Sequence, residues 1–306
     1  PDKEGNQIPG GAAQYTNCVN DGFLYVHNSW GEVTKFDVRS GSRAQPVWKS
    51  DPGMEIVGAN RGCPVLLNEF VYNKTRDMRL LKIDDASGET LFDVSTLVVY
   101  DVDPVNEQST SDAALAVGNK IIMPQVSRQR RGWIGAFSAE DGSELWHFNT
   151  IPRPGEFGHE TWADNWGAWK VGGGGVWGGI SYDPETDLVI FGVGDPFPWG
   201  DPEFRPGDNL YTSSIVAVNA TTGERAWHFQ ETPNESWDFG SPSPKMLIDI
   251  PIGGVDSFLL SGDDIVWINY TRSATNWGEP AGHAQAPGGF QQAVYSNNNR
   301  AQAVDR

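Results

Sequence analysis

Only two cysteines, Cys18 and Cys63, occur in 306 residues. Neither has CxxC or metal-ligand spacing, and two cannot define a redox compartment, so buried unpaired thiols are the expectation. Basic charge is also scarce: 22 Lys and Arg stand against 40 Asp and Glu, a formal net charge of −18. Such a balance argues against nucleic acid as a partner, and the acids are scattered rather than gathered in a tail. No stretch approaches the ~18 apolar residues that a membrane-spanning helix needs, and no signal peptide is visible. His27, His147, His159, His228 and His283 lack Ser/His/Asp spacing and are expected to pack in turns. There is no Walker sequence, and "VGGGGVW" has no helix pattern after it, which removes phosphate cradling. Long helical periodicity is missing too.

What the chain does have is a repeat. A small or polar residue followed by glycine recurs at Ser40-Gly41, Ser87-Gly88, Asp141-Gly142 and Thr222-Gly223. Before each lies an apolar strand: "EVTKFDVRSG", "RLLKIDDASG", "GWIGAFSAEDG" and "SSIVAVNATTG". After it come Trp48, Phe92, Trp146 and Trp227. Upstream runs another alternating strand, in "GFLYVHNS", "NEFVYNK", "NKIIMPQ" and "LVIFGVG". Period-2 alternation predicts strands, the polar-Gly pair supplies a turn with positive φ, and each trailing ring fills a gap between repeats. The glycines are 47, 54 and 81 residues apart. The first two intervals suit four-stranded propeller blades, and the third implies a long insertion.

With 36 Gly, 20 Pro and 13 Trp, the profile is all-β. The expectation is one partial β-propeller domain over residues 1–306, an incomplete arc of about four to five blades. Residues 150–176 are expected to form a loop insertion over the axial site. The aromatic "WADNWGAW" (Trp162–Trp169) within it reads equally as a cover for that site or as loop packing. The start at Pro1 and the closing "NNNRAQAVDR", read as strand entry or loop, suggest a piece of a longer protein. Asn-x-Ser/Thr sequons at Asn73, Asn219, Asn234 and Asn269 hint at a eukaryotic secreted protein.

The longest phrases carry a resemblance. "SAEDGSELWHFNTIPRPGEFGHETW", "GGGGVWGGISYDPETDLVIFGVGDP" and "RPGDNLYTSSIVAVNATTGERAWHFQETPNESWDF" resemble the pyrroloquinoline quinone (PQQ) dependent alcohol dehydrogenases, eight-bladed quinoprotein propellers. The likeness runs from about Gln14 to Tyr270, roughly the first half of that propeller. It implies oxidation of an alcohol by hydride transfer to bound PQQ, with a carboxylate taking the hydroxyl proton and a cation, commonly calcium, polarising the quinone. It further implies a cytochrome c or quinone as electron acceptor and a periplasmic or secreted setting, with the signal peptide outside this chain.

Residue by residue, the resemblance places Trp177 under the quinone, with Gly172–Gly175, Gly178 and Gly179 allowing close approach. Arg61, in "ANRG", matches the arginine facing the quinone oxygens, and Asp238 matches the general base. Departures accompany these matches. Glu55-Ile56 stands where an adjacent cysteine pair is expected. Gln14 replaces a glutamate contact and Ser111 a threonine. The turn that carries the metal-binding glutamate is shortened to "QVSRQRRG", with no carboxylate. Asp195 replaces a metal-binding asparagine, and Asp263 and Asp264 stand where a lysine belongs. Asp195 with Asp238 is the expected remnant of a calcium site; alternatively, Arg128, Arg130 and Arg131 supply fixed charge there. Gly240 occupies the position of the extra aspartate of lanthanide-using relatives, so no lanthanide is expected. The function reads as a PQQ-dependent alcohol dehydrogenase. The alternatives are a catalytically silent propeller used for binding, like the propeller lipoproteins of outer-membrane assembly, and a propeller with altered chemistry in the same funnel.

Overall fold

The computed structural model describes residues 17–42, 44–54, 62–96, 114–125, 131–163, 167–248, 258–261, 265–270, 290–297 and 300–305. Its strands form successive antiparallel meanders, in which each strand pairs with the next in sequence. The first sheet is β1 (Cys18–Asn20), β2 (Phe23–His27), β3 (Val33–Asp37) and β4 (Pro46–Ser50). The second is β5 (Val65–Leu67), β6 (Phe70–Lys74), β7 (Arg79–Asp84) and β8 (Thr90–Ser95). The third is β9 (Leu115–Val117), β10 (Lys120–Pro124), β11 (Trp133–Ser138) and β12 (Glu144–Asn149). The fourth is β13 (Ser181–Asp183), β14 (Leu188–Gly192), β15 (Ser214–Asn219) and β16 (Arg225–Gln230). Each of these four sheets has the four-stranded antiparallel form of a propeller blade.

The fifth sheet has five strands: β17 (Met246–Ile248), β18 (Phe258–Ser261), β19 (Ile265–Tyr270), β20 (Phe290–Asn297) and β21 (Arg300–Asp305). The closing decapeptide, read from sequence as loop or strand entry, contributes to the last two. Their pairing runs from Gln292 opposite Asp305 to Asn297 opposite Arg300.

The repeat phrase codes strands two, three and four of each blade. Its trailing ring docks on the turn glycine of the following sheet. A Cβ on Gly88 would lie 2.8 Å from Trp48, one on Gly142 3.0 Å from Phe92, and one on Gly223 2.6 Å from Trp146. The indoles also find partners: Trp48 Nε1 donates to Asp85 O at 2.9 Å and Trp146 Nε1 to Ala220 O at 3.1 Å. Tyrosines in the second strands act in parallel. Tyr25 Oη donates to Asp85 Oδ1 at 2.7 Å and Tyr72 Oη to Ala139 O at 2.6 Å. Asp85 also pairs with the buried Lys35 at 2.8 Å.

The chain divides into two compact units, residues 1–123 with 137–144, and residues 124–136 with 145–306. Within the first, Tyr25, Val33, Trp48, Val71, Leu81 and Ile83 form one core. The expectation of unpaired thiols is corrected there: Cys18 and Cys63 form a disulfide across 45 residues. It joins β1 of the first sheet to the segment entering β5 of the second, a link between neighbouring sheets that the cysteine spacing does not reveal. Of the sequons, Asn73 is wholly buried, its amide donating to Gly31 O at 2.8 Å. Glycosylation of the folded chain there is sterically blocked. In the second unit, β14 and β15 are almost entirely buried.

Candidate functional site

Three backbone strips of the second unit carry the residues of interest: 172–179 before β13, 192–196 after β14, and 238–242 after β16. They pack with no room for side chains between them. A Cβ on Gly192 would lie 1.5 Å from Ser241 O, and one on Gly178 1.2 Å from Pro242 O. Backbone bonds hold the strips in register: Gly174 N to Asp195 O at 2.8 Å, Gly194 N to Gly175 O at 2.9 Å, and Ser241 N to Val193 O at 3.0 Å. The glycine run is therefore a packing device. It brings main chain against main chain and leaves the larger side chains at the edges.

Those edges hold the sequence-predicted residues. Trp177 lies beside Gly194, where a Cβ would be 2.7 Å from its Nε1. Asp195 follows Gly194, and its carboxylate faces Gly240, whose Cβ would lie 3.1 Å from Oδ1. Asp238 is exposed and adopts φ 65°, a left-handed conformation that aspartate tolerates better than most residues. Asp195 is thus the common neighbour within one unit, next in sequence to the Gly194 that Trp177 touches and close enough to Asp238 to feel its charge. Gly179, at the far end of the first strip, packs against Pro244, where a Cβ would be 3.0 Å away.

The acid environment contains a residue that the sequence reading missed. Glu235 is 1% exposed and interacts with Asp195. Burial first, then the charges of Glu235 and Asp238, push the Asp195 carboxyl up to about 7. Glu235 Oε1 accepts from the backbone N–H of Trp237, fixing the turn that leads into Asp238. Its other oxygen, Oε2, and Asp195 Oδ1 are buried with no hydrogen-bond partner. Two orphaned acid oxygens fit a hard cation in kind, whereas calcium takes six to eight oxygens. Among the described residues, no group of three or more His, Cys, Asp or Glu side chains is disposed to hold a metal ion. The protein alone offers part of a coordination sphere.

Gln14, Glu55, Ile56, Arg61, Ser111, Arg128, Arg130, Asp263, Asp264 and His283 lie outside the described residues. Arg131 is buried, with its guanidinium 5.2 Å from the Trp169 ring. The aromatic insertion builds its own core: Trp162 packs with Ile151 and Ala168, and its Nε1 donates to Leu210 O at 2.6 Å. Packing therefore accounts for Trp162. His159 sits edge-on to Trp169 at 5.4 Å and His228 edge-on to Tyr211 at 4.9 Å, while His27 is buried.

No helix among the described residues is long and apolar enough to cross a membrane. Residues 2–258 match the PQQ family profile described as glucose/ethanol/alcohol dehydrogenase, β-propeller domain. The chain is 34% identical over 261 residues to the quinohemoprotein alcohol dehydrogenase ADH IIB of Pseudomonas putida, covering 78% of this chain and 36% of that protein. It is 36% identical over 266 residues to the dehydrogenase subunit of the quinone alcohol dehydrogenase of Gluconacetobacter polyoxogenes, covering 78% and 35%. Among solved structures, the quinohemoprotein alcohol dehydrogenase of Comamonas testosteroni superposes with a TM-score of 0.76 at 28% identity, over 90% of this chain and 45% of that one. The chain thus spans about a third of the length of these curated relatives. A match over most of the chain, together with the bladed fold, shows that it belongs to the PQQ-dependent glucose/ethanol/alcohol dehydrogenase β-propeller family.

Proposed function

We propose that this chain is the first part of a dehydrogenase that oxidises a small alcohol with PQQ as its resident cofactor. The observation that carries the reading is that Trp177 lies against Gly194 while Asp238 acts on the next residue, Asp195. A flat indole and an accessible carboxylate are what quinone-dependent alcohol oxidation asks of a protein. When bound, the quinone supplies a two-electron acceptor for hydride. Trp177 would support its plane. Arg61 would face its oxygens, with Gln14, Ser111 and Gly179 as further contacts.

Asp238 is the proposed general base. It is exposed, so an incoming alcohol can reach it, and its left-handed backbone is set by the Glu235–Trp237 turn. The hydroxyl proton would pass to its carboxylate. Asp195 and Asp238 would hold the cation that the family uses, with Glu235 close behind. Cytochrome c or a soluble quinone is the proposed electron acceptor, a periplasmic or secreted setting the proposed location, and a single partial propeller the proposed organisation of residues 1–306.

A second reading is a propeller retained for binding alone. The incomplete acid set favours it, since no three-residue ligand group is present among the described residues. One experiment separates the two. The full-length parent protein is supplied with PQQ and calcium, and dye reduction is followed with a panel of primary alcohols. The dehydrogenase reading expects turnover that falls roughly 100- to 10,000-fold in Asp238→Asn, the range for loss of a general base. Absence of quinone binding would support the binding module instead, and turnover unchanged in Asp238→Asn would remove the assigned base.

A further inference from the structure

Arg205 is completely buried, between β14 and β15 in a segment rich in turns. All of its donated hydrogen bonds go to uncharged oxygens. Nε donates to Pro198 O at 2.9 Å, and Nη2 to Trp199 O at 2.8 Å and to Glu235 O. Nη1 donates to Asn209 Oδ1 at 2.8 Å and to Asn234 Oδ1 at 3.4 Å. A buried cation is costly unless opposite charge lies near, and a planar five-donor fork is the side chain suited to holding several acceptors at once.

The acceptors fall into two groups that matter. Pro198 and Trp199 come three and four residues after Asp195. Asn234 and Glu235 come four and three residues before Asp238. One guanidinium therefore ties together the two loops that carry the candidate site's acids. Asn209 completes the fork and returns a bond to it, Nδ2 donating to Arg205 O at 2.9 Å. Asn234 secures the same loop from its other side, with Nδ2 donating to Gly207 O at 2.7 Å. The charges that compensate Arg205 are those of Glu235, Asp195 and Asp201, acting through space.

We infer that Arg205 is a positioning residue of the candidate site: it fixes the spacing between the Asp195 loop and the Asp238 loop, and its charge compensates the buried acids there. The inference rests on the reading of Asp195 and Asp238 as the working acids. A lysine would keep the charge and lose the fork, and a methionine would lose both.

The test uses the full-length parent protein, loaded with PQQ and calcium, as wild type, Arg205→Lys and Arg205→Met. Hydrogen–deuterium exchange is measured under conditions where each variant stays folded, and kcat and KM are measured with a primary alcohol. In Arg205→Met, exchange should quicken about tenfold or more in residues 197–201 and 231–240 and stay near wild type in β14 and β15. The same variant should lose about 10- to 100-fold in kcat, with KM changed far less, as expected for misplaced acids. Arg205→Lys should recover part of kcat while its two loops still exchange fast. If Arg205→Met fails to fold, Arg205→Lys carries the same comparison, since the fork is lost in both. Exchange that rises evenly through β14–β16, or loops that exchange as in wild type, would overturn the inference. If the wild type shows no turnover, the dehydrogenase reading falls, and the exchange pattern alone decides whether Arg205 is the clamp.

Discussion

Gly178 and Pro242 touch main chain to main chain: a methyl on Gly178 would sit 1.2 Å from the carbonyl oxygen of Pro242. The strip that carries Trp177 is thereby pressed against the strip that carries Asp238. Gly178→Ala must push the two apart, at a cost of typically ~1–3 kcal/mol for forced overpacking. Thermal unfolding should show that loss. Quinone affinity should fall with it, because the displaced strips carry the proposed floor and the proposed base. Retained stability and affinity in Gly178→Ala would mean that the strips are not held as described.

The ring-on-glycine contacts predict where blade stability resides. Trp146→Ala removes a nearly buried indole seated on Gly223 and should cost ~3–5 kcal/mol by urea denaturation. Val47→Ala, at an exposed neighbour of Trp48, should stay within about 0.5 kcal/mol. Equal effects would contradict the repeat's assigned role.

That role was legible because it is periodic. Strands two to four of each blade carry alternating apolar residues and a turn glycine, so their existence could be read directly. The first strands, β1, β5, β9 and β13, are three residues long and show no period of their own. Asp195 and Asp238 are candidates only through phrases shared with a family. Glu235 and Arg205 were missed for a physical reason: a buried charge in an irregular loop has no spacing signature, and its burial depends on contacts far along the chain. The disulfide is invisible for the same reason, since it links the first sheet to the segment entering the second.

The disulfide gives its own prediction. Closing a loop between residues 45 apart limits the unfolded chain and is worth ~2–4 kcal/mol. Cys18→Ser should lower the urea midpoint accordingly, and reductant should bring the wild type toward the same value. A variant as stable as the oxidised wild type would refute the bridge's contribution.

His27 predicts a pH dependence. Burial, and then the charge of Lys74, lower it from its ordinary 6.5 to about 3. The unfolded chain takes up this proton below about pH 6.5, whereas the folded chain resists until about pH 3. Stability is therefore full above pH 6.5 and declines as pH falls toward 3, by a few kcal/mol in order of magnitude. Urea midpoints at pH 7 and pH 4 should differ less in His27→Gln than in the wild type. An identical slope in both would remove His27 as the cause.

The most direct measurement is a calorimetric titration of PQQ, with calcium present, into the full-length parent protein and its Trp177→Ala variant. Loss of base–aromatic-type stacking is worth ~1–3 kcal/mol, so the variant should bind at least about fivefold more weakly, while Asp238→Asn keeps most of its affinity. Equal affinity in wild type and Trp177→Ala, or no binding to the wild type at all, would contradict a quinone site at this corner of the fourth blade.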